Sequence, residues 1–179
     1  MIEKFIEVAK HCYELKNYNT MTAILSGLSY SAVKRLKKSW MFVRDKTISL
    51  FTKYESIMDP ANNSNRYRSV LAKVGKKDPC VPFFGVFLKD FVFLNDGPPK
   101  ILSNGLINFA KLRAIIMKIE ELRRYQMSKY NLSSDHNLYR LCKDLRILSE
   151  GELYDKSLEI EPREVPIHKA FSSGTVERL

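Results

Sequence analysis

The chain is poor in the features that mark several protein classes. Its three cysteines, Cys12, Cys80 and Cys142, are far apart and show no C-x-x-C spacing. That pattern argues against a disulfide framework and fits a reducing compartment. Seven glycines and seven prolines in 179 residues are too few for a fibrous or low-complexity protein. Long apolar runs are missing too. The greasiest window, residues 80–94, is broken by Pro82, Gly85, Lys89 and Asp90 and is shorter than the ~20 residues of a membrane span. The opening MIEKFIEVAK carries Glu3, Lys4 and Glu7 where a secretion signal needs an unbroken apolar stretch. The expectation is a cytoplasmic chain that does not insert into a membrane.

Signatures of bond-making chemistry are equally sparse. His11, His136 and His168 stand in unrelated contexts, none spaced four residues from another ligand type, so no metal site is expected. Neither a G-x-S-x-G elbow nor a Gly-rich phosphate cradle occurs. His11 beside Cys12 on an apolar stripe reads as a packed pair. Asp90 and Asp96 are six apart, and nothing ties them into an acid–base pair. The pattern suits a protein that works by binding, without a cofactor.

What the sequence does contain is apolar residues, 45% of the total, and charge. This length suits one domain burying roughly 70% of its unfolded surface. The net charge of +10 is unevenly spread: residues 31–77 hold twelve Lys/Arg against three acids, and residues 108–130 six against two. Residues 149–164 reverse the sign, with six acids against two bases. A basic stretch can face nucleic acid, anionic lipid or an acidic protein, or simply keep a helix face solvated.

Helical periodicity runs through nearly the whole chain. Ile2, Phe5, Ile6, Ala9, Cys12 and Tyr13 form one stripe ending near Lys16. Asn19 is placed to cap a helix with Met21, Ile24, Leu25 and Leu28, and Ser31 to cap one with Val33, Leu36 and Trp40. Ile48, Phe51, Tyr54 and Met58 mark a longer helix stopping at Asp59-Pro60. After a turn-rich Ala61-Asn62-Asn63-Ser64, another stripe carries Tyr67, Val70, Leu71 and Val74. Residues 76–108 hold four of the seven prolines around FFGVFLKDFVFLND, which periodicity leaves undecided between strand and apolar helix. Asn108 then caps a helix with Phe109, Leu112, Ile115, Ile116, Ile119 and Leu122, running to about Tyr130. Ser133 or Ser134 caps another with Leu138, Leu141, Cys142, Leu145 and Leu148. The last helix spans roughly residues 150–160 and stops at Pro162, leaving 164–179 as a loose tail. The fold class is all-α, an irregular bundle of about eight helices.

Four ordered motifs carry a resemblance. They are Asn17-Tyr18-Asn19 with AILSGL (residues 23–28) and Arg35-Leu36-Lys37-Lys38-Ser39-Trp40; PCVPFFGVFLKD (79–90); Ile107-Asn108-Phe109-Ala110-Lys111; and Glu152-Leu153-Tyr154 with SLEIEPR (157–163). Together they resemble the catalytic domain of Ras guanine-nucleotide exchange factors. The family has a further N-terminal portion, with a "QLT" motif, before the point matching Met1, so residues 1–163 compare with the C-terminal part of that domain.

The resemblance implies an all-α body with a protruding helical hairpin, about residues 83–130, that wedges into a small GTPase of the Ras family. Such catalysis is non-covalent and needs no cofactor. By position the hairpin runs out along about Val86 to Asn95 and returns through Gly97-Pro98-Pro99. Asp96 falls where a well-characterised member has a glutamate near the GTPase's metal and phosphates, and Val92 where it has a leucine that crowds the metal. Asp is one methylene shorter, and ordinary turn chemistry in Asn95-Asp96-Gly97-Pro98 is the plainer reading of Asp96; core packing is that of Val92. Tyr67 and Phe83, with Thr22 in place of a leucine, match a pocket for a switch tyrosine; core packing is their plain reading, and the Tyr67 hydroxyl could equally cap a loop. Ser29 replaces an asparagine that reaches the GTPase. Arg35, Trp40 and Glu161-Pro162-Arg163 read as structural. The resemblance points to no nucleic acid, and leaves any recruitment to the plasma membrane to other domains. Two alternatives stand beside it: a non-exchanging GTPase-binding fragment, and a basic helical nucleic-acid binder supported only by the charge of residues 31–77.

Overall fold

A computed structural model of the chain describes residues 1–163. The expected tail, 164–179, lies outside the described residues. Ten helices and no strands make up the described part: α1 (Ile2–Glu14), α2 (Tyr18–Ser29), α3 (Ser31–Lys34), α4 (Lys37–Met41), α5 (Asp45–Met58), α6 (Ala61–Leu71), α7 (Phe84–Asp96), α8 (Phe109–Arg124), α9 (His136–Asp144) and α10 (Glu150–Ile160). The all-α expectation holds. Two helices exceed the expected eight because the segment after Ser31 splits in two around Arg35–Leu36 and because the undecided apolar stretch is helical.

The core lies where α1, α2, α5 and α6 meet the first turn of α7. Ala9, Tyr18, Met21, Leu25, Tyr54, Tyr67, Leu71, Val86 and Phe87 form its buried centre, with Tyr125 closing it from the end of α8. A second cluster, Ile6, Leu28 and Val43, ties α1 to α2 and to the connection between α4 and α5.

The chain reverses between α1 and α2 without a glycine. Lys16 takes φ of 60°, the Lys16 N–H donates to the Tyr13 carbonyl (2.9 Å), and the Asn17 N–H to the Cys12 carbonyl (2.7 Å). This is a helix-ending motif that usually recruits glycine. Lys16 is pinned there from outside: its carbonyl accepts from the Val81 N–H at 3.0 Å and its Nζ pairs with Asp78 at 3.0 Å. Asn17, not Asn19, then caps α2, accepting from the Thr20 N–H at 3.0 Å. The helix starts earlier because the fixed turn puts Asn17 first in line. Farther along, Asn62, Asn63 and Ser64 are all left-handed, φ 50–58°, so the expected turn sits inside the bounds of α6.

α10 is clamped to α3 and α4 by hydrogen bonds. Ser149 and Glu152 form a reciprocal capping box at its start. Arg35 donates to the Ser157 carbonyl (2.6 Å), while Glu161 accepts from the Ser39 N–H (2.7 Å), the Ser39 hydroxyl (2.8 Å) and the Lys38 N–H (3.1 Å). Trp40 donates to the Val33 carbonyl at 3.1 Å. Arg35, Trp40 and Glu161 are therefore structural, as their sequence context implied. In contrast, α9 is capped by Asp135 rather than by a serine, and Leu138 and Leu141 on it and Leu145 just after it are exposed.

The packing sets an order of thiol reactivity. Cys142 is exposed, Cys12 is half-buried with its thiol pushed up by burial, and burial pushes the Cys80 thiol up to about 11. With a thiol reagent near pH 8, Cys142 should react first and Cys80 only when the protein unfolds. Equal native rates for Cys80 and Cys142 would contradict the fold.

Candidate functional site

The site begins as an aromatic seat on the body. Tyr67 of α6 is fully buried, and its hydroxyl accepts the Phe83 N–H at 2.7 Å. Burial pushes that hydroxyl's pKa well up. The rings of Tyr67 and Phe83 meet edge-to-face at 6.3 Å, and Tyr67 meets Tyr18 of α2 at 5.7 Å. Phe83 is half-buried beside Gly85. A Cβ on Gly85 would come within 2.5 Å of the Phe83 ring, so the glycine in the PFFG motif leaves room for that ring. Thr22 donates its hydroxyl to the Tyr18 carbonyl at 2.7 Å, one turn back on α2. Ser29, two turns beyond Thr22, donates to Glu55 of α5. The structure thus brings Tyr67 and Phe83 into contact, while Thr22 and Ser29 lie along α2 with their hydroxyls engaged.

From this seat the α7–α8 hairpin projects. Its root is buried: Val86 is 6%, Phe87 2% and Tyr125 7% exposed. Farther along, Val92 is 59%, Phe93 72% and Phe109 73% exposed. The expected return helix ends at Arg124 rather than near Tyr130. The far end is ordered by the INFAK motif. Asn108 caps α8 by accepting the Lys111 N–H (3.1 Å) and donates to the Pro99 carbonyl (3.0 Å). The buried Lys111 ammonium donates to the carbonyls of Asn95 (2.6 Å) and Pro98 (2.9 Å), satisfying the open end of α7. Between them Gly105, at φ 78°, turns a loop bridged from Ile101 to Ile107. Asp96 closes α7, exposed, accepting from the Asn95 side chain at 2.8 Å. Val92 and Asp96 are one helical turn apart on the same exposed side.

The sequence reading missed what locks the root. Arg68 of α6 grips Asp90 of α7 through both guanidinium nitrogens, at 2.9 and 2.6 Å. Lys118 of α8 meets the same carboxylate at 3.2 Å and Glu121 at 2.7 Å. Burial pushes the Asp90 carboxyl up, but the hydrogen bonds from Arg68 and Lys118 outweigh it and hold it below the usual carboxylate range. One signal was available: a charge inside an otherwise apolar helix needs a partner. Which partner, only the fold could say. Among the described residues no group of three or more His, Cys, Asp or Glu is arranged to hold a metal.

A family model described as the RasGEF domain matches residues 1–113. The chain is 38% identical over 161 residues to Ras guanine nucleotide exchange factor I of Dictyostelium discoideum, covering 89% of this chain and 19% of that protein. It is 37% identical over 164 residues to exchange factor J of the same organism, covering 91% and 20%. Ras-specific guanine nucleotide-releasing factor 1 of Rattus norvegicus is 36% identical over 164 residues, covering 90% and 13%. The chain therefore spans a fifth or less of the length of these curated relatives.

Two outcomes follow from the seat and its lock. Tyr67→Phe leaves the Phe83 N–H without its acceptor and should cost about 1–3 kcal/mol in denaturant unfolding; no loss would mean the bond contributes nothing. Folded Asp90 titrates below the unfolded value of about 3.9. Its ionised form therefore stabilises the fold above that range, and the stabilisation is lost as pH falls through the lower folded value. The melting temperature should fall more between about pH 4 and pH 2 in the unsubstituted protein than in Asp90→Asn. Parallel curves would remove Asp90 from the acid response.

Proposed function

Since the chain belongs to the RasGEF domain family, we propose that it promotes release of guanine nucleotide from a small GTPase of the Ras family, with the α7–α8 hairpin as the wedge. The single observation that supports this reading is the burial gradient along the hairpin. A root held at 2–7% exposure carries apolar and acidic side chains far out into solvent, at Val92, Phe93 and Asp96. Contiguous exposed apolar surface of this kind marks an interaction surface.

The proposed mechanism makes and breaks no covalent bond. Docking with equal affinity to the loaded and empty GTPase would shift nothing, so the hairpin must favour the empty state. Nucleotide and exchange factor then weaken each other's binding by the same coupling free energy. Phe83, with Thr22 and Ser29 along α2, offers the docking side for a switch segment, and Tyr67 is its floor rather than its surface. Val92 crowds the metal side of the nucleotide site. The Asp96 carboxylate, an anionic acceptor like a phosphate, competes for the donors that hold the nucleotide. We also take residues 1–163 to correspond to the C-terminal part of the family's catalytic domain. The apolar groove between α1, α2 and α3, lined by Met1, Ile2, Phe5, Ala23, Ile24 and Val33, would then be the face that the N-terminal part covers. The Asp96 carboxylate, already engaged by the Asn95 side chain at 2.8 Å as in an ordinary turn, favours a second reading, in which the chain binds a GTPase without exchanging its nucleotide.

Release of a fluorescent GDP analogue from purified Ras, Rap and Ral proteins, followed with the full chain, tests these readings. Acceleration for at least one GTPase is expected, and Asp96→Ala should slow it by about ten-fold, the loss of one charge-assisted bond. Flat release with retention of the nucleotide-free GTPase on immobilised chain would support binding alone. Flat release with no retention would overturn both.

A further inference from the structure

We propose that Asp90 is a positioning residue: with Arg68 and Lys118 it forms an ionic clasp that sets the angle at which the hairpin leaves the body, and hence where Val92 and Asp96 arrive. The inference rests on the exchange reading above. Asp90 sits between the buried first turn of α7, at Val86 and Phe87, and the exposed end at Asp96. Its carboxylate touches the body through Arg68 and the second hairpin helix through Lys118. Arg68 is itself fixed by donating to the Asn63 carbonyl at 2.8 Å, and Lys118 lies 5.7 Å from the centre of the Phe87 ring.

Two kinds of contact hold the root, and they constrain different things. Apolar burial of Val86, Phe87 and Tyr125 is non-directional, so it resists detachment better than rocking. A guanidinium gripping a carboxylate through two parallel bonds is directional and resists rotation. The lever beyond it is long. Six residues separate Asp90 from Asp96, roughly 9 Å of helix. A tilt of about 10° at the clasp would move Asp96 by roughly 1.5 Å over that length, and a 1 Å misplacement can cost on the order of a hundred-fold in rate. Half-buried ion pairs often add little net stability compared with apolar groups of similar size. The clasp is suited to setting geometry, with the aromatic packing supplying cohesion.

The decisive variant replaces the directional pair by apolar groups, Arg68→Met with Asp90→Leu. Spin labels on Ser26→Cys of α2 and Ser103→Cys of the hairpin loop, in a Cys12→Ser, Cys142→Ser background, report the body-to-hairpin distance with no GTPase present. The double variant should melt within a few degrees of its parent yet show a broadened distance distribution. Its maximal exchange rate should fall about ten-fold, with the half-saturating GTPase concentration unchanged because the docking seat is intact. If the double variant does not fold, Lys118→Met, which keeps the Arg68–Asp90 pair, should show the same broadening to a smaller degree. An unchanged distribution together with an unchanged rate overturns the proposal. Should the unsubstituted chain fail to exchange, the function reading fails separately, and the label distances still decide the clasp: broadening supports it, and equal widths overturn it.

Discussion

A two-helix hairpin has no core of its own, so everything distal to residue 87 depends on how its root is buried. A helix of thirteen residues such as α7 is marginal alone in water. Here the first turn of α7 and the last of α8 converge on one aromatic cluster, in which Phe87 meets Tyr125 at 6.3 Å. The Phe83–Tyr67–Tyr18 chain of ring contacts carries that packing back into α6 and α2. Fully burying a side chain such as Phe87 contributes about 1.5–3 kcal/mol. Spread over several such residues, that burial can support two helices whose outer faces stay wet. The hydrogen bond from the Phe83 N–H to Tyr67 adds direction, because it fixes where the chain enters α7.

The charge pattern takes on a different meaning once these contacts are known. Several cations in the basic middle of the chain are bonded within it and hold elements together. Arg35 reaches the backbone of α10, Arg68 clasps Asp90, and the exposed Arg44 guanidinium donates to Glu3 of α1 at 3.0 Å, beside a 2.8 Å bond from the Arg44 backbone N–H. Lys111 ends up buried, with its ammonium serving the Asn95 carbonyl in the last turn of α7 and the Pro98 carbonyl just beyond it. A positively charged group is favoured at a helix C-terminus on both hydrogen-bonding and dipole grounds. Part of an excess that reads, in the sequence, as a face for an anionic partner is therefore internal structural bonding.

Much of the architecture was legible because it is encoded locally. Asn108 caps α8 as expected, α10 occupies its anticipated span, and Asp59-Pro60 ends α5. The misses have local causes too. Asn17 displaced Asn19 as a cap because Lys16 adopts a left-handed turn that sequence rules reserve for glycine, and long-range bonds from Val81 and Asp78 hold it there. The stretch after Ser31 carries one continuous apolar stripe, yet it breaks into α3 and α4 at Leu36, whose backbone is not helical. Residues 84–96 resisted assignment because a segment apolar on every face has no period to read; length is what separates helix from strand there.

The hairpin exposes a deeper limit of periodicity. Phe109, Leu112, Ile116 and Ile119 repeat with the spacing of a core helix, and yet they are 45–73% exposed. Spacing reports that one side of a helix avoids water, not which body it meets, its own domain or another. The same holds for Val92 and Asp96. Neither is buried, and among the described residues the Asp96 side chain is bonded only to its neighbour Asn95, so nothing in their own environment distinguishes them from ordinary surface residues. The partner role proposed for them therefore leaves no mark on their surroundings in the unbound chain. What can be read from this chain alone is how the hairpin that carries them is held, namely by the aromatic seat, the Asp90 contacts with Arg68 and Lys118, and the Lys111 tie.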